Sequence, residues 1–224
     1  MNYYSKYLSA DRLEKCYQLA PRRIRQYLKA EVDFVRSLIF SFHHVLELGC
    51  GYGRMFPDLL PSKGSLTGID ISLTNLIFGS EKLKTLSNIH LAMMNASKLG
   101  FKSGTFDNTL CLQNGLSAFH ENPLTIITEA IRVTKPGGLV LFSGYSDKIW
   151  KDRLEWFVIQ SEHGLLGEID FEATGNGEIV CKDGFSATTF RKDDFNSFAS
   201  QLGIKPKIFE VDDSCLIFQI DIPK

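Results

Sequence analysis

The run Val45-Leu46-Glu47-Leu48-Gly49-Cys50-Gly51-Tyr52-Gly53-Arg54 brings one acid, three alternating glycines and one arginine together. Alternating glycines let a backbone turn sharply and let a ligand approach it closely. A dinucleotide loop has the order G-x-G-x-x-G and seats a pyrophosphate on a helix N-terminus. Here the order is Gly49-x-Gly51-x-Gly53, with Glu47 just before it. A carboxylate at that place repels a pyrophosphate and suits a ligand that carries positive charge and no phosphate. Asp70 follows roughly 20 residues beyond the loop, the spacing at which an acid meets the ribose hydroxyls of a nucleoside. These residues could therefore hold a cationic nucleoside at the end of a strand.

The surrounding pattern supplies the elements that would position them. Val45, Leu46 and Leu48 form the apolar run of a buried parallel strand. Phe56, Leu59 and Leu60 then fall at helical spacing, and Pro61 closes that segment. A second strand runs from Gly64 to Asp70, and Leu73, Leu76, Ile77, Leu83 and Leu86 mark the helix after it. Ile89 to Met94 is a third strand ending in Asn95-Ala96, and Phe106 to Leu112 is a fourth. A helix over Pro123 to Val133 leads through the turn Lys135-Pro136-Gly137-Gly138 into a fifth strand, Leu139 to Phe142. Strands alternating with helices predict a parallel sheet with helices on both faces. Before this core, Pro21 opens a helix whose stripe is Ile24, Leu28, Val32, Val35 and Ile39. After it, Ile149, Trp150, Leu154, Phe157 and Val158 suit one helix face. Ile169, Phe171 and Ala173 alternate, as do Ile179 and Cys181, so a hairpin about Gly175-Asn176-Gly177 is expected. Lys192 to Leu202 is the last helix, stopped by Gly203, and Lys207–Val211 with Cys215–Ile220 make a terminal hairpin about Asp212-Asp213-Ser214.

Glu47-Leu48-Gly49-Cys50-Gly51-Tyr52-Gly53 resembles the first motif of the class I methyltransferases that use S-adenosylmethionine. That ligand carries a sulfonium, an amino group, a ribose and an adenine. The segment from Asn95 to Asp107 resembles the adenine loop and fourth-strand entry of the small-molecule members, with Asn95-Ala96 where an Asp-Ala pair often stands. Arg132-Val133-Thr134-Lys135-Pro136-Gly137-Gly138 resembles their Leu-Lys-Pro-Gly-Gly turn. The resemblance covers about residues 42–145 motif by motif, and the last 35 residues by pattern. It implies an α/β fold: a seven-stranded, mostly parallel, doubly wound sheet with an antiparallel last strand and a helix-plus-hairpin insertion after strand five. The chain reads as one methyltransferase domain over 1–224, with an N-terminal helical cap (1–40), a cofactor-binding core (41–145), a substrate cap (146–190) and a terminal helix and hairpin (191–224).

Carried over residue by residue, the resemblance places S-adenosylmethionine against Glu47, Gly49, Cys50, Gly51, Gly53, Asp70, Ile71, Asn95, Ala96, Gln113 and Asn114. The methyl then faces the loop after the fourth strand. His120 in that loop and Tyr145 beyond the fifth strand are the candidate bases for an acceptor that must lose a proton. No Asn/Asp/Ser-Pro-Pro-aromatic motif follows the fourth strand, which argues against the members that methylate adenine or glutamine amino groups. Two other classes compete: a dinucleotide-dependent oxidoreductase on a similar sheet, and a protein that binds S-adenosylmethionine without catalysis.

Composition narrows the partners. The chain has 224 residues, 44% hydrophobic and 23% charged, as in ordinary globular domains. A net charge of -1 lacks the basic footprint of a nucleic-acid binder, and no apolar run approaches a membrane span. A small-molecule substrate is expected instead. The five cysteines are scattered without a C-x-x-C pair, which favours reduced thiols and a cytoplasmic setting. Histidines and cysteines show no metal-ligand spacing, so no metal is expected.

Overall fold

The computed structural model describes Tyr3 and residues 7–224. Its centre is a seven-stranded sheet in the order β3-β2-β1-β4-β5-β9-β8. The strands are β1 (His44–Leu48), β2 (Ser65–Asp70), β3 (Ile89–Met93), β4 (Phe106–Cys111), β5 (Thr134–Tyr145), β8 (Lys207–Val211) and β9 (Cys215–Asp221). Strands β1 to β5 pair in parallel, while β9 runs antiparallel to both β5 and β8. The strand order reverses between β1 and β4, which opens a crevice beyond their carboxyl ends.

The alternation of side chains sends successive residues to opposite faces. Val45, Leu110, Leu141 and Ile217 belong to one apolar cluster, and Leu46, Cys111, Phe142 and Phe218 to the other. The first face is covered by α1 (Asp11–Gln18), α2 (Arg22–Ser37), the short α3 (Phe56–Leu59), α4 (Leu73–Leu83) and α7 (Trp150–Glu162). The second is covered by α6 (Pro123–Val133) and α8 (Lys192–Leu202), while α5 (Gly115–Ala118) caps the end of β4. By the same alternation Glu47 falls on the Val45 face, and Ser143 on the Leu141 face, so both meet the helix α2 layer.

Helix α1 acts as a strap across the crevice. The Ala10 N–H donates to Asn75 Oδ1 on α4 at 2.7 Å, and Lys82 of α4 pairs with Glu14 at 2.8 Å. At the other end the Arg12 guanidinium donates to the Gly164 and Leu165 carbonyls after α7. The sequence offers the N-terminal tyrosines Tyr3, Tyr4, Tyr7 and Tyr17 as a lid over the ligand, and of these Tyr4 lies outside the described residues. Tyr3 donates to Asp183 at 2.6 Å and packs edge-on to Phe185, with ring centroids 5.0 Å apart.

Two expectations need correction. The Lys135–Gly138 turn is not outside the sheet but a bulge inside β5: pairing with β4 jumps from Phe106–Thr134 to Asn108–Leu139. A Cβ on Gly138 would lie 2.4 Å from the Asp107 carbonyl oxygen, so only glycine allows this approach. The expected turn at Asn176-Gly177 forms, with Gly175 and Glu178 exchanging both backbone hydrogen bonds, and a second turn about Asp183-Gly184 carries the regular pairing of the insertion. Strands β6 (Ile179–Val180) and β7 (Ser186–Ala187) pair antiparallel, and residues 171–173 are a turn. Ile169 makes only an isolated bridge to Cys181, because the Asp170 carboxylate accepts the Glu172 and Ala173 N–H groups and curls that arm. The inward face of α7 is also rotated from the expected one: Arg153, Trp156, Phe157 and Gln160 are buried.

Candidate cofactor and acceptor site

The crevice at the carboxyl ends of β1, β2 and β4 holds a cavity of about 170 Å³. Glycine loop, β2–α4 turn, β4 end, α1 and α7 all contribute to its walls. Gly49, Gly51 and Gly53 take φ of 70°, 56° and 72°, the left-handed region that other residues avoid. A Cβ on Gly51 would approach Leu13 of α1 to 3.2 Å, so the loop and the strap meet at this residue.

Glu47 is 2% exposed, and its Oε2 has no hydrogen-bond partner. Burial pushes its carboxyl up to about 8; the nearby Glu31 and Asp70 carboxylates add to the rise and Arg54 opposes it. Arg54 sits in the same cavity with its guanidinium 4.4 Å over the Tyr17 ring, and its Nε and Nη2 are buried without partners. An open carboxylate oxygen and two open guanidinium nitrogens are the complement of an α-amino acid group, which presents an ammonium and a carboxylate. Asp70 Oδ2 accepts the Gly51 N–H at 2.9 Å and its Oδ1 accepts the Ser72 N–H at 2.7 Å, so this acid ties the glycine loop to the turn after β2. Ser72 is the N-cap of α4, accepting from Asn75 at 3.3 Å. Beyond Asp70, Ile71, Met94, Ala96 and Phe119 supply apolar walls.

Residues 45–138 match the family profile described as a methyltransferase domain. The chain is 30% identical over 186 residues to the demethylmenaquinone methyltransferase of Lactococcus lactis, covering 72% of this chain and 73% of that relative. The chain belongs to the class I S-adenosylmethionine-dependent methyltransferases. It is also 34% identical over 108 residues to the malonyl-[acyl-carrier protein] O-methyltransferase of Marinomonas, 46% of this chain but only 38% of that relative's length. A solved S-adenosylmethionine-dependent methyltransferase from Aquifex aeolicus superposes with a TM-score of 0.63 at 17% identity, over 93% of this chain and 97% of that one. At that identity the likeness concerns the fold. Membership removes the dinucleotide-dependent oxidoreductase from contention.

As a class I methyltransferase, the chain has most of the expected cofactor residues in one place. Glu47, Gly49, Cys50, Gly51, Asp70, Ile71, Ala96, Gln113 and Asn114 all line the cavity. Gly53 and Asn95 do not. A Cβ on Gly53 would strike Leu83 at 2.7 Å, so this glycine serves the packing of α4 against the loop. The exposed Asn95 folds back on itself: its Oδ1 accepts from the Ser97 N–H at 2.7 Å and from the Ser97 hydroxyl at 2.9 Å. The two candidate bases separate. His120 is exposed, takes φ 51° and lies off the cavity wall. Tyr145 does line the cavity, and burial drives its phenol above the ordinary value.

Tyr17 and Trp156 come from segments expected to border the acceptor, the N-terminal tyrosines and the 146–190 cap, whereas Glu31, Arg54 and Arg153 carry no role assigned from sequence. Glu31 sits in the middle of the buried face of α2, fully buried, with its carboxyl raised by desolvation. Its only local signal is an acid interrupting an apolar stripe, four residues after Tyr27. Tyr17, Arg54 and Trp156 join the cavity from three separate segments. The buried Arg153 donates to the Gly177 and Ala187 carbonyls and to Thr189, and its guanidinium stands 4.5 Å over the Tyr145 ring. It locks α7 to the strands and turns that follow it in the insertion. Among the described residues, no helix is long and apolar enough to cross a membrane.

Proposed function

We propose that this protein transfers a methyl group from S-adenosylmethionine to a small-molecule acceptor. The observation that carries this reading is the continuity of one cavity from Glu47, Gly51 and Asp70 to an aromatic end lined by Tyr17, Tyr145, Trp156, Phe157 and Phe185. Glu47 would take the cofactor ammonium, Arg54 its carboxylate, and Asp70 its ribose. Ile71 and Ala96 would flank the adenine. Cofactor supplies the activated methyl; the chain supplies alignment and exclusion of water, which yield most of the acceleration in such a displacement. The relatives named above act on demethylmenaquinone and on an acyl carrier-bound malonyl group, and the aromatic end here suits an apolar acceptor. All five cysteines are buried and free, which supports a reducing, cytoplasmic setting.

The decisive experiment is turnover to S-adenosylhomocysteine with labelled cofactor and a metabolite extract. Labelled product with a mass gain of one methyl supports the reading; tight cofactor binding without turnover for any fraction leaves a binding protein instead. Phe185→Leu should lower methyl transfer about tenfold while cofactor affinity stays within twofold, because Phe185 lies at the aromatic end. Equal losses in transfer and cofactor affinity would refute that division of the cavity.

Asp70→Ala provides a second test. Hydrogen bonds to a charged group contribute about 1.5–3 kcal/mol, so cofactor binding should weaken tenfold or more, since about 1.4 kcal/mol is one decade. Adenosine should lose affinity in parallel and methionine should not. Asp70→Asn serves as the control for the loop, because it keeps an oxygen for the Gly51 N–H. If 2′,3′-dideoxy cofactor binds wild type as well as the parent does, Asp70 does not read the ribose.

A further inference from the structure

One residue of the strap holds a shape that its side chain disfavours. Ala10, at the N-terminal cap of α1, takes φ 52° and ψ -123°. The Arg12 N–H closes a turn on the Ser9 carbonyl at 3.2 Å, which makes Ala10 the first central residue of a type II′ turn. Glycine dominates that position, and an L-residue stays there only where its surroundings over-determine it. Here the surroundings are a buried amide. The Ala10 N–H donates to Asn75 Oδ1 at 2.7 Å, and Asn75 is buried on the first turn of α4. The same side chain reaches Asp70: burial pushes the Asp70 carboxyl up, and the Ser72 N–H, the Gly51 N–H and the Asn75 side chain pull against it. Asn75 therefore joins the acid at the ribose position to the strained entry of the strap, and it lines the cavity between them.

The two ends of the strap are held differently. Toward α7, Trp156 Nε1 donates to the Cys16 carbonyl at 2.9 Å in a buried contact, and Arg12 donates to two carbonyls. Toward α4, the Ala10–Asn75 bond is joined by the Lys82–Glu14 pair, whose side chains are 45% and 26% exposed. Exposed ion pairs contribute little, and the one buried bond there works against the strain at Ala10. The α4 end is thus the weaker one. Beneath the strap the cavity measures about 170 Å³, below the roughly 300–1,000 Å³ of pockets that take drug-sized ligands. A cofactor that joins a nucleoside to an amino acid enters only if the strap yields.

We propose that α1 is a gate, hinged at α7 and latched at α4, and that Asn75 is the positioning residue that links the latch to occupancy of Asp70. This rests on the methyl-transfer reading above. The strap opens at its α4 end to admit S-adenosylmethionine, recloses on the bound cofactor, and opens again to release S-adenosylhomocysteine. Ribose hydroxyls donating to Asp70 fix that acid, and the fixed acid holds the Asn75 amide with its oxygen toward Ala10. Alanine in place of glycine at position 10 keeps the closed state from becoming too stable to exchange its ligand.

The test follows stopped-flow exchange of S-adenosylhomocysteine, which cannot react, by tryptophan fluorescence, since Trp156 touches both strap and cavity. Lys82→Met should quicken association and release together by about threefold, with Kd within twofold, because it loosens the latch in both states. Ala10→Gly should slow both by about fivefold at a similar Kd, because it removes the strain. Asn75→Ala should quicken release at least tenfold. It should also erase the extra hydrogen-exchange protection that ligand confers on the α1 amides, whereas a purely structural role would lower protection equally with and without ligand. Glu14→Cys with Lys82→Cys, joined by a bis-maleimide in the empty protein, should block binding, and the same joint made after loading should trap the ligand. The native cysteines are all buried and stay out of that reaction. Wild-type exchange rates in the cross-linked protein, or a glycine variant that exchanges faster than wild type, would overturn the proposal. Failure of wild type to bind S-adenosylhomocysteine at all would instead strike the methyl-transfer reading.

Discussion

Glu47→Gln should raise the melting temperature of the cofactor-free protein by about 5 °C at pH 9, lower it at pH 5, where the carboxyl is already neutral and only the amide's cost remains, and weaken cofactor binding at least tenfold. The sign follows from burial. The Glu47 carboxyl titrates near 8 in the fold, against about 4.5 in the unfolded chain. Between those values the native state holds a proton that the unfolded state has lost, so stability falls as pH rises. Each unit of such a shift corresponds to about 1.4 kcal/mol, and the buried charge above pH 8 is a cost that glutamine removes. Part of that gain is lost because a buried amide needs partners of its own, which leaves a net of roughly 2 kcal/mol, or 2–4 °C per kcal/mol for a chain of this size. Cofactor acts in the opposite direction. An ammonium beside Glu47 favours the carboxylate, so binding below pH 8 should release a proton and affinity should climb from pH 6 to 8. Calorimetry in two buffers of different ionisation enthalpy would reveal the proton, and the glutamine variant should show none. Identical melting curves for both proteins at pH 9 would mean that Glu47 carries no such strain.

Gly51→Val should abolish measurable cofactor binding, a loss of more than a hundredfold, with the fold retained. Valine at φ 56° pays the left-handed cost of about 1–2 kcal/mol that L-residues meet there. Its methyl groups would press on Leu13, 3.2 Å from the Cβ position, and occupy the space where loop and strap enclose the ligand. The Gly51 N–H bond to Asp70 would shift with them. Gly175→Val is the matched control: nothing lies within 4 Å of its Cβ position and its φ is not left-handed, so binding should be untouched. Cofactor affinity within threefold of wild type in the Gly51 variant would show that the loop does not touch the ligand.

Much of this architecture was legible because it depends on local pattern. Period-two apolar runs and their alternation with helices predict the parallel core, and the order Glu47, Gly49-x-Gly51-x-Gly53, Asp70 predicts a nucleoside crevice without reference to any distant residue. Gly203 ends α8 where expected, with φ 66° at its cap. The insertion was harder. Its strands are two residues long, too short to show alternation, and the curl at Asp170 interrupts an arm that reads as continuous in the sequence.

The sequence by itself determined which residue types gather at the strand ends, since β1, β2 and β4 carry them there by chain direction alone. Only the tertiary structure decided which of them share the cavity. It excludes His120, one residue past Phe119 on the wall, because a left-handed backbone turns it to solvent. It recruits Glu31, whose carboxylate meets Gln113 across 82 positions, and Tyr17, which meets the same residue across 96. Such contacts arise from the packing of α1 and α2 onto one face of the sheet. No periodicity within either segment encodes the partner, because each helix's stripe specifies that it is buried and not what it is buried against.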